Sequence, residues 1–233
     1  MYKNNCAVIF GGTGFIGSFF AKYLLDNQKY TKVYLYDFEL FESKPFIFRK
    51  EMLEIHHSNY EEVLGDVRLP IEWVPSESVD LIVNFAAVHR EPGHKPNEYF
   101  ETNIKGAQNI NDWADQIGCK NIIFSSSIAP YGPSEEIKDE NSLTVPETPY
   151  GSSKLAAEKI HQIWLNSDES KSLIIVRPGV VFGPGEGGNV SRLIKAVQNR
   201  YFFYTGNHKT RKAGVYVKEL CHELNWVMDS KIH

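Results

Sequence analysis

Along its first three quarters the chain alternates between two hydrophobic rhythms. Short runs that are almost wholly apolar recur at 7–10 (Ala7-Val8-Ile9-Phe10), 33–36, 81–85, 122–124 and 172–176. Such runs fit strands buried on both faces, as in a parallel sheet, better than half-exposed strands, which would alternate apolar and polar positions. Between them lie longer stretches of helical spacing. In 15–25 the apolar positions are Phe15, Ile16, Phe19, Phe20, Tyr23 and Leu24, and 97–117 and 150–165 give two more helices. Strand and helix in alternation predict an α/β fold of Rossmann type, a doubly wound parallel sheet with helices on both faces.

The rhythm breaks after Arg177-Pro178. Gly179, Gly183, Pro184, Gly185, Gly187 and Gly188 crowd one short stretch, which reads as a loop lining a site. A helix is expected at 190–199 and another at 217–228. The aromatic run Tyr201-Phe202-Phe203-Tyr204 reads as core packing, with a strand as the local structure it would adopt. The chain therefore divides into 1–176, where strand and helix alternate, and 177–233, a shorter region of different character.

Composition narrows the class. Of 233 residues, 42% are hydrophobic and 23% charged, the balance of a globular protein, and a formal net charge of -4 offers no footprint for nucleic acid. No apolar run approaches the ~20 residues of a membrane span. Met1 to Asn5 leads straight into the first strand without the apolar stretch of a signal peptide. Cys6, Cys119 and Cys221 are odd in number and far apart, which fits free buried thiols in a reducing compartment and hence a cytoplasmic location.

The chemistry begins at Gly11-Gly12-Thr13-Gly14-Phe15-Ile16-Gly17, between the first strand and the first helix. Gly11 and Gly14 allow a tight turn and close approach of backbone to a pyrophosphate, Gly17 allows helix and strand to pack, and the helix N-terminus offers N–H groups to phosphate. Asp37 follows Gly17 by twenty positions at the end of the second strand. A carboxylate there accepts hydrogen bonds from the adenosine ribose and repels a 2′-phosphate, so NAD is expected rather than NADP; the alternative is that Asp37 caps a loop.

Tyr150 and Lys154 stand at i and i+4, on one helix face. A free tyrosine has a pKa of about 10, and a neighbouring ammonium favours its phenolate, which can take a proton from a hydroxyl as hydride leaves the same carbon. The fourth of the apolar runs ends in Ser125-Ser126-Ser127, at the carboxyl end of a strand, where active-site groups of open α/β sheets collect. A serine there can relay the substrate's proton, or simply satisfy backbone groups.

Together with Gly65-Asp66-Val67, Asn84-Phe85-Ala86-Ala87 and Thr102-Asn103-Ile104-Lys105-Gly106, these motifs resemble the extended short-chain dehydrogenase/reductases, and more narrowly the NAD-dependent nucleotide-sugar epimerase/dehydratase family, from residue 6 to about 220. The resemblance implies that Ser127, Tyr150 and Lys154 are catalytic. It implies that Gly11, Gly14, Phe15, Ile16, Gly17, Asp37, Asp66, Val67, Ala86, Ala87 and Asn103 surround NAD with Tyr150 and Lys154, Asp66 and Val67 meeting the adenine. Ser127 and Asn189 would meet the substrate. Where the family's 4,6-dehydratases carry an Asp-Glu pair after the catalytic hydroxyl, this chain has Ile128-Ala129, an apolar pair that cannot supply acid and base for water loss. Val180 replaces an asparagine of many epimerases. The expected activity is epimerisation of a nucleotide-sugar, at C4, through transient oxidation to a keto-sugar. A net reductase or dehydrogenase of the same family, and a catalytically incomplete NAD-binding protein, are the alternatives. Family members generally continue beyond the segment Gly214 to Leu220, so an incomplete substrate lobe that binds NAD but turns over substrate poorly is expected. The resemblance also implies a homodimer formed through the helices at 97–117 and 150–165.

Other signals weigh less. His56-His57, His89 and His94 lack metal-ligand spacing, so no metal is expected, although residues 89–94 follow the 81–85 strand and can border the site. Lys209, Arg211 and Lys212 form a small basic cluster, read as a solvated face or as a contact to nucleotide phosphates.

Overall fold

The computed structural model describes residues 5–43, 47–56, 58–89, 93–203 and 211–230. In chain order its elements are β1 (Asn5–Phe10), α1 (Phe15–Asp26), β2 (Lys32–Asp37), α2 (Ile47–Leu53), β3 (Tyr60–Leu64), β4 (Ser78–Asn84), α3 (Pro96–Ile117), β5 (Asn121–Ser125), α4 (Pro149–Leu165), β6 (Ser172–Val176), β7 (Val180–Phe182), α5 (Asn189–Gln198), β8 (Gly214–Tyr216) and α6 (Val217–Ser230), joined by short 3-10 turns. Strands β1 to β6 form one sheet in the order β3-β2-β1-β4-β5-β6, parallel throughout. The order reverses between β1 and β4. In such sheets the carboxyl ends at the reversal open a crevice for a ligand.

Side chains leave β1 alternately to the two faces. Ala7 and Ile9 join Phe20 and Leu24 of α1 and Leu220, Cys221 and Leu224 of α6. Cys6, Val8 and Phe10 join Ile110 and Trp113 of α3 and Trp164 of α4. Both faces are covered, which is why the strands read as continuous apolar runs. Each fully buried Ile, Leu or Phe contributes about 1.5–3 kcal/mol. On the α3 side the indole N–H of Trp113 donates to the Trp73 carbonyl at 2.7 Å, and the two indole rings stack with centroids 5.9 Å apart. All three cysteines are free and buried.

Helix ends fix the register. Pro96 opens α3, and Gly118, at φ 75°, closes it in the left-handed conformation that glycine adopts without strain. Thr148 caps α4, its Oγ1 accepting the Gly151 N–H at 3.1 Å, with Pro149 in the first turn. Tyr150 is thereby held in the first turn of α4.

The structure adds a second sheet in which β7 and β8 pair in parallel; β7 falls inside what the glycines at 179–188 had suggested was all loop. It also corrects the reading of the aromatic run. Tyr201, Phe202 and Phe203 are 60%, 43% and 73% exposed and form no strand; Tyr204 lies outside the described residues. They follow α5, which buries none of its own residues, past Arg200 at φ 58°. Aromatic propensity does not by itself supply a surface that buries the rings. No described helix is long and apolar enough to cross a membrane.

Candidate active site

The glycine-rich turn sits against the carboxyl end of β4. Gly11, at φ 74°, donates its N–H to the Tyr36 carbonyl at 2.9 Å, and a β-carbon there would stand 2.8 Å from the Ala86 nitrogen. At Gly17 a β-carbon would stand 2.3 Å from the Gly11 carbonyl oxygen. Helix α1 starts at Phe15, with Gly14 ahead of it as N-cap. The first-turn N–H groups of an α-helix have no carbonyl of their own helix to bond. Close-packed glycines, a helix N-terminus and a buried acid at the end of β2 fit a dinucleotide.

Asp37 is buried, and its Oδ2 accepts both the Thr13 N–H (3.2 Å) and the Thr13 hydroxyl (2.8 Å). A carboxylate has about four acceptor sites, so shaping the turn and receiving a ribose are compatible tasks. Arg49 of α2 reaches the same place. Its guanidinium donates to the carbonyls of Thr13 (3.4 Å) and Gly185 (3.3 Å). Burial draws its pKa down and the charge of Asp37 opposes the shift.

The groups expected to react come from α4 and the end of β5. Gly151 lies so close to the 3-10 turn after Ser127 that a β-carbon would stand 2.8 Å from the Ala129 carbonyl oxygen, which sets the first turn of α4 beside the Ser127 segment. The Ser127 Oγ accepts the Ala129 N–H at 3.2 Å, leaving its own proton to donate. Lys154 is buried, donates from Nζ to the Ser125 carbonyl at 2.7 Å and lies 4.7 Å over the Phe124 ring. Burial pulls its pKa down to about 7, against the opposing charge of Glu158. Tyr150 is half-buried, its ring centroid 6.1 Å from that of Tyr99 of α3.

Of the other anticipated residues, Ala86 and Ala87 line the exit of β4. Asn103 ties that exit to the catalytic helix: Oδ1 accepts the Val88 N–H (3.0 Å), and Nδ2 donates to the Val88 carbonyl (3.2 Å) and to Ser153 Oγ (2.9 Å). Val67 is buried against Gly106. Asp66 is held by Arg68, whose Nε donates to it at 2.9 Å, and the Arg68 hydrogen bonds hold its carboxyl below the usual range. Asn189 is exposed at the start of α5, where it accepts from Arg192, and no described contact joins it to Tyr150 or Ser127. His56 pairs with Asp26 and His94 with Glu98. His57, Lys209 and residues 90–92 lie outside the described residues, while Arg211 and Lys212 are exposed.

Sequence reading missed Thr13, Arg49, Glu158, Arg177 and Tyr131 as site residues. Glu158 did leave a signal: it stands one turn beyond Lys154 on the same face, beside the buried Ala157. An acid at that position needs a partner, and Arg177 supplies it.

The parallel sheet and its glycine-rich turn define a protein of the α/β class shaped to hold a dinucleotide. The chain belongs to the NAD dependent epimerase/dehydratase family, whose model matches residues 7–231. It is 37% identical over 139 residues, 59% of this chain and 42% of the relative, to the N-acetyl-alpha-D-glucosaminyl-diphospho-ditrans,octacis-undecaprenol 4-epimerase of Escherichia coli O157:H7. It is 32% identical over 164 residues, 69% of this chain and 43% of the relative, to the UDP-N-acetylglucosamine 4,6-dehydratase (inverting) of Campylobacter jejuni. The chain thus spans under half the length of these curated relatives. The UDP-glucuronic acid 4-epimerase of Bacillus cereus, solved with UDP-glucuronic acid and NAD, superposes over 96% of this chain and 73% of that one with a TM-score of 0.81, at 21% identity, a likeness of fold.

Proposed function

We propose that the protein is an NAD-dependent 4-epimerase of a sugar carried on a diphosphate, a nucleotide-sugar in the first instance. The observation that carries the reading is the seating of the Tyr150 turn of α4 against the turn after Ser127, with Lys154 buried behind them. Bound NAD supplies a hydride acceptor that can give the hydride back. The chain's own residues do the rest. Tyr150 takes the proton of the sugar's C4 hydroxyl, Ser127 hydrogen-bonds that oxygen, and Lys154 stabilises the phenolate. Once C4 is a carbonyl, rotation of the sugar presents its other face, and Tyr150 returns the proton as the C–H bond re-forms with inverted configuration. Ile128 and Ala129 follow Ser127 where a dehydratase would need an acid and a base, which favours epimerisation over water loss. We place the cofactor on residues 1–176 and part of the substrate region on 177–233. We read the protein as cytoplasmic from its buried free thiols. A homodimer through α3 and α4, where Phe100 and Ile163 are exposed, completes the reading.

The test begins with the small molecules released on denaturing the purified chain. Stoichiometric NAD is the expected result. Incubation with UDP-glucose, UDP-galactose and their N-acetylated forms should then interconvert a C4 pair without accumulating reduced nicotinamide. Net cofactor turnover matched to substrate would replace this reading with that of an oxidoreductase.

A further inference from the structure

A polar cluster lies buried beneath the catalytic helix. Glu158, 1% exposed, accepts hydrogen bonds from Arg177 Nε (2.9 Å) and Nη2 (2.6 Å) and from the Ser126 hydroxyl. Arg177 spends its remaining donor Nη1 on the Tyr131 hydroxyl at 2.7 Å and lies 4.7 Å over that ring. A carboxylate is costly to bury unless paired and fully hydrogen-bonded. The four residues stand in different parts of the site: Glu158 on the helix of Tyr150 and Lys154, Ser126 next before Ser127, Tyr131 in the turn after it, and Arg177 just ahead of the loop that begins at Pro178. Two backbone bonds join the same segments, Ser126 N–H to the Val176 carbonyl (2.8 Å) and Ile128 N–H to the Pro178 carbonyl (3.1 Å).

We propose that Glu158 and Arg177 are positioning residues: the buried Glu158 carboxylate keeps a fixed negative charge beside the Lys154 ammonium, and its pairing with the partly exposed Arg177 locks Ser127 and the loop opening at Pro178 to the helix of Tyr150. This deepens the reading above and rests on the roles it gives Tyr150 and Lys154. The groups that face Lys154 are the Ser125 carbonyl and Phe124 ring from β5, and Tyr150, Glu158 and His161 from α4. Arg177 acts through Glu158. His161 is pushed by burial, and then by the Lys154 charge, to about 3, so it is neutral at ordinary pH, which leaves Glu158 as the anion that supports the ammonium. Without that charge Lys154 sheds its proton at lower pH and the Tyr150 phenolate loses support.

The experiment compares the full chain with Glu158→Gln and with the double variant Glu158→Gln/Arg177→Met, which leaves no orphan charge. Three quantities are read: NAD content, the rate at which UDP-glucose or UDP-N-acetylglucosamine reduces bound NAD as a function of pH, and the melting temperature as a function of pH. Glu158→Gln should keep its NAD, lose roughly tenfold or more in rate, as displaced reacting groups do, and move the acid limb of the rate profile to higher pH. The double variant should regain melting temperature while the limb stays displaced. A limb that does not move, or a rate loss that the double variant repairs along with its melting temperature, makes the pair structural and overturns the proposal.

If the unaltered chain interconverts no C4 pair of sugar diphosphates and shows not even transient reduction of its NAD with them, the functional reading fails and melting alone decides the pair. The folded pKa of Lys154 lies below that of unfolded lysine, so the unfolded state takes the proton first as pH falls, and stability declines towards about pH 7. Removing the Glu158 charge extends that decline below neutrality. The gap in melting temperature between the unaltered chain and Glu158→Gln should therefore hold steady above about pH 7, where both folded chains carry a neutral Lys154, and widen as pH falls below it; a gap that stays constant below about pH 7 overturns the proposal.

Discussion

The central sheet and the stretch from 177 to 203 use similar apolar residues to opposite ends. Five of the six residues of β1 are buried, and seven of the twelve in α1. α5 has an equally regular apolar face, yet Leu193, Ile194 and Val197 are exposed, and Tyr201, Phe202 and Phe203 after it are exposed too. A hydrophobic pattern announces that a face exists. Whether that face is covered depends on what the rest of the fold brings to it. In the sheet every strand brings a partner to its neighbour. Among the described residues beyond Arg177 the one strand pairing is the three-residue match of β7 with β8.

Substitutions should register this difference unequally. The largest effect is expected in the first turn of α4. Tyr150→Phe should lower sugar-driven reduction of bound NAD on the order of 10²–10⁴-fold while NAD content stays constant. Activity retained in that variant would remove the tyrosine from the chemistry. In the core, Ile123→Ala should cost about 2–5 kcal/mol by denaturant melting, and a smaller cost would mean that this face is packed as loosely as α5. Gly17→Ala, with its methyl driven against the Gly11 carbonyl, should cost about 1–3 kcal/mol and release NAD during purification; retention of NAD would show that the turn can yield.

Acid sensitivity belongs to the core as well. His161 Nδ1 bonds Asn111 Oδ1 at 2.7 Å and Nε2 bonds Asn84 Nδ2 at 3.2 Å, an arrangement that suits the neutral ring. Its folded pKa of about 3 lies below the unfolded value of about 6.5. The unfolded state therefore binds the proton first, and stability present above about 6.5 is lost as pH falls towards 3. His161→Gln should flatten the melting-temperature profile over that window, and an unchanged slope would assign the acid sensitivity to other groups. The smallest effect is expected on α5, where Ile194→Ser should stay within about 0.5 kcal/mol of the unaltered chain. A cost comparable to that of Ile123→Ala would mean that the exposed face is covered in solution.

Much of the sheet and the centre of the site was legible before the fold was seen. β6 falls at 172–176 as expected, and the helices around Tyr150 and Asn103 begin within one residue of their expected starts. β3 escaped notice because Glu61 and Glu62 interrupt its apolar run at the sheet edge. β7 and β8 are three residues each, too short for any period to show. Gly11 to Gly17, Asp37, Tyr150 and Lys154 could be picked out as candidates because each motif is held within one turn or at a fixed spacing. Glu158 and Arg177 lie nineteen positions apart and Arg49 and Gly185 one hundred and thirty-six; such pairings exist only once the sheet is assembled. The aromatic run misled because ring size predicts a preference for burial and says nothing of whether a surface is on offer.

The stacked Trp73 and Trp113 rings, inclined by 19° with Phe10 edge-on to Trp113, give the sheet a built-in optical signature. Two indoles held that close and nearly parallel couple their excited states, and the pair straddles the loop before β4 and helix α3. Near-ultraviolet circular dichroism should follow that coupling as a fingerprint of this face alone, separable from the exposed Trp226 on α6, whose emission reports on solvent.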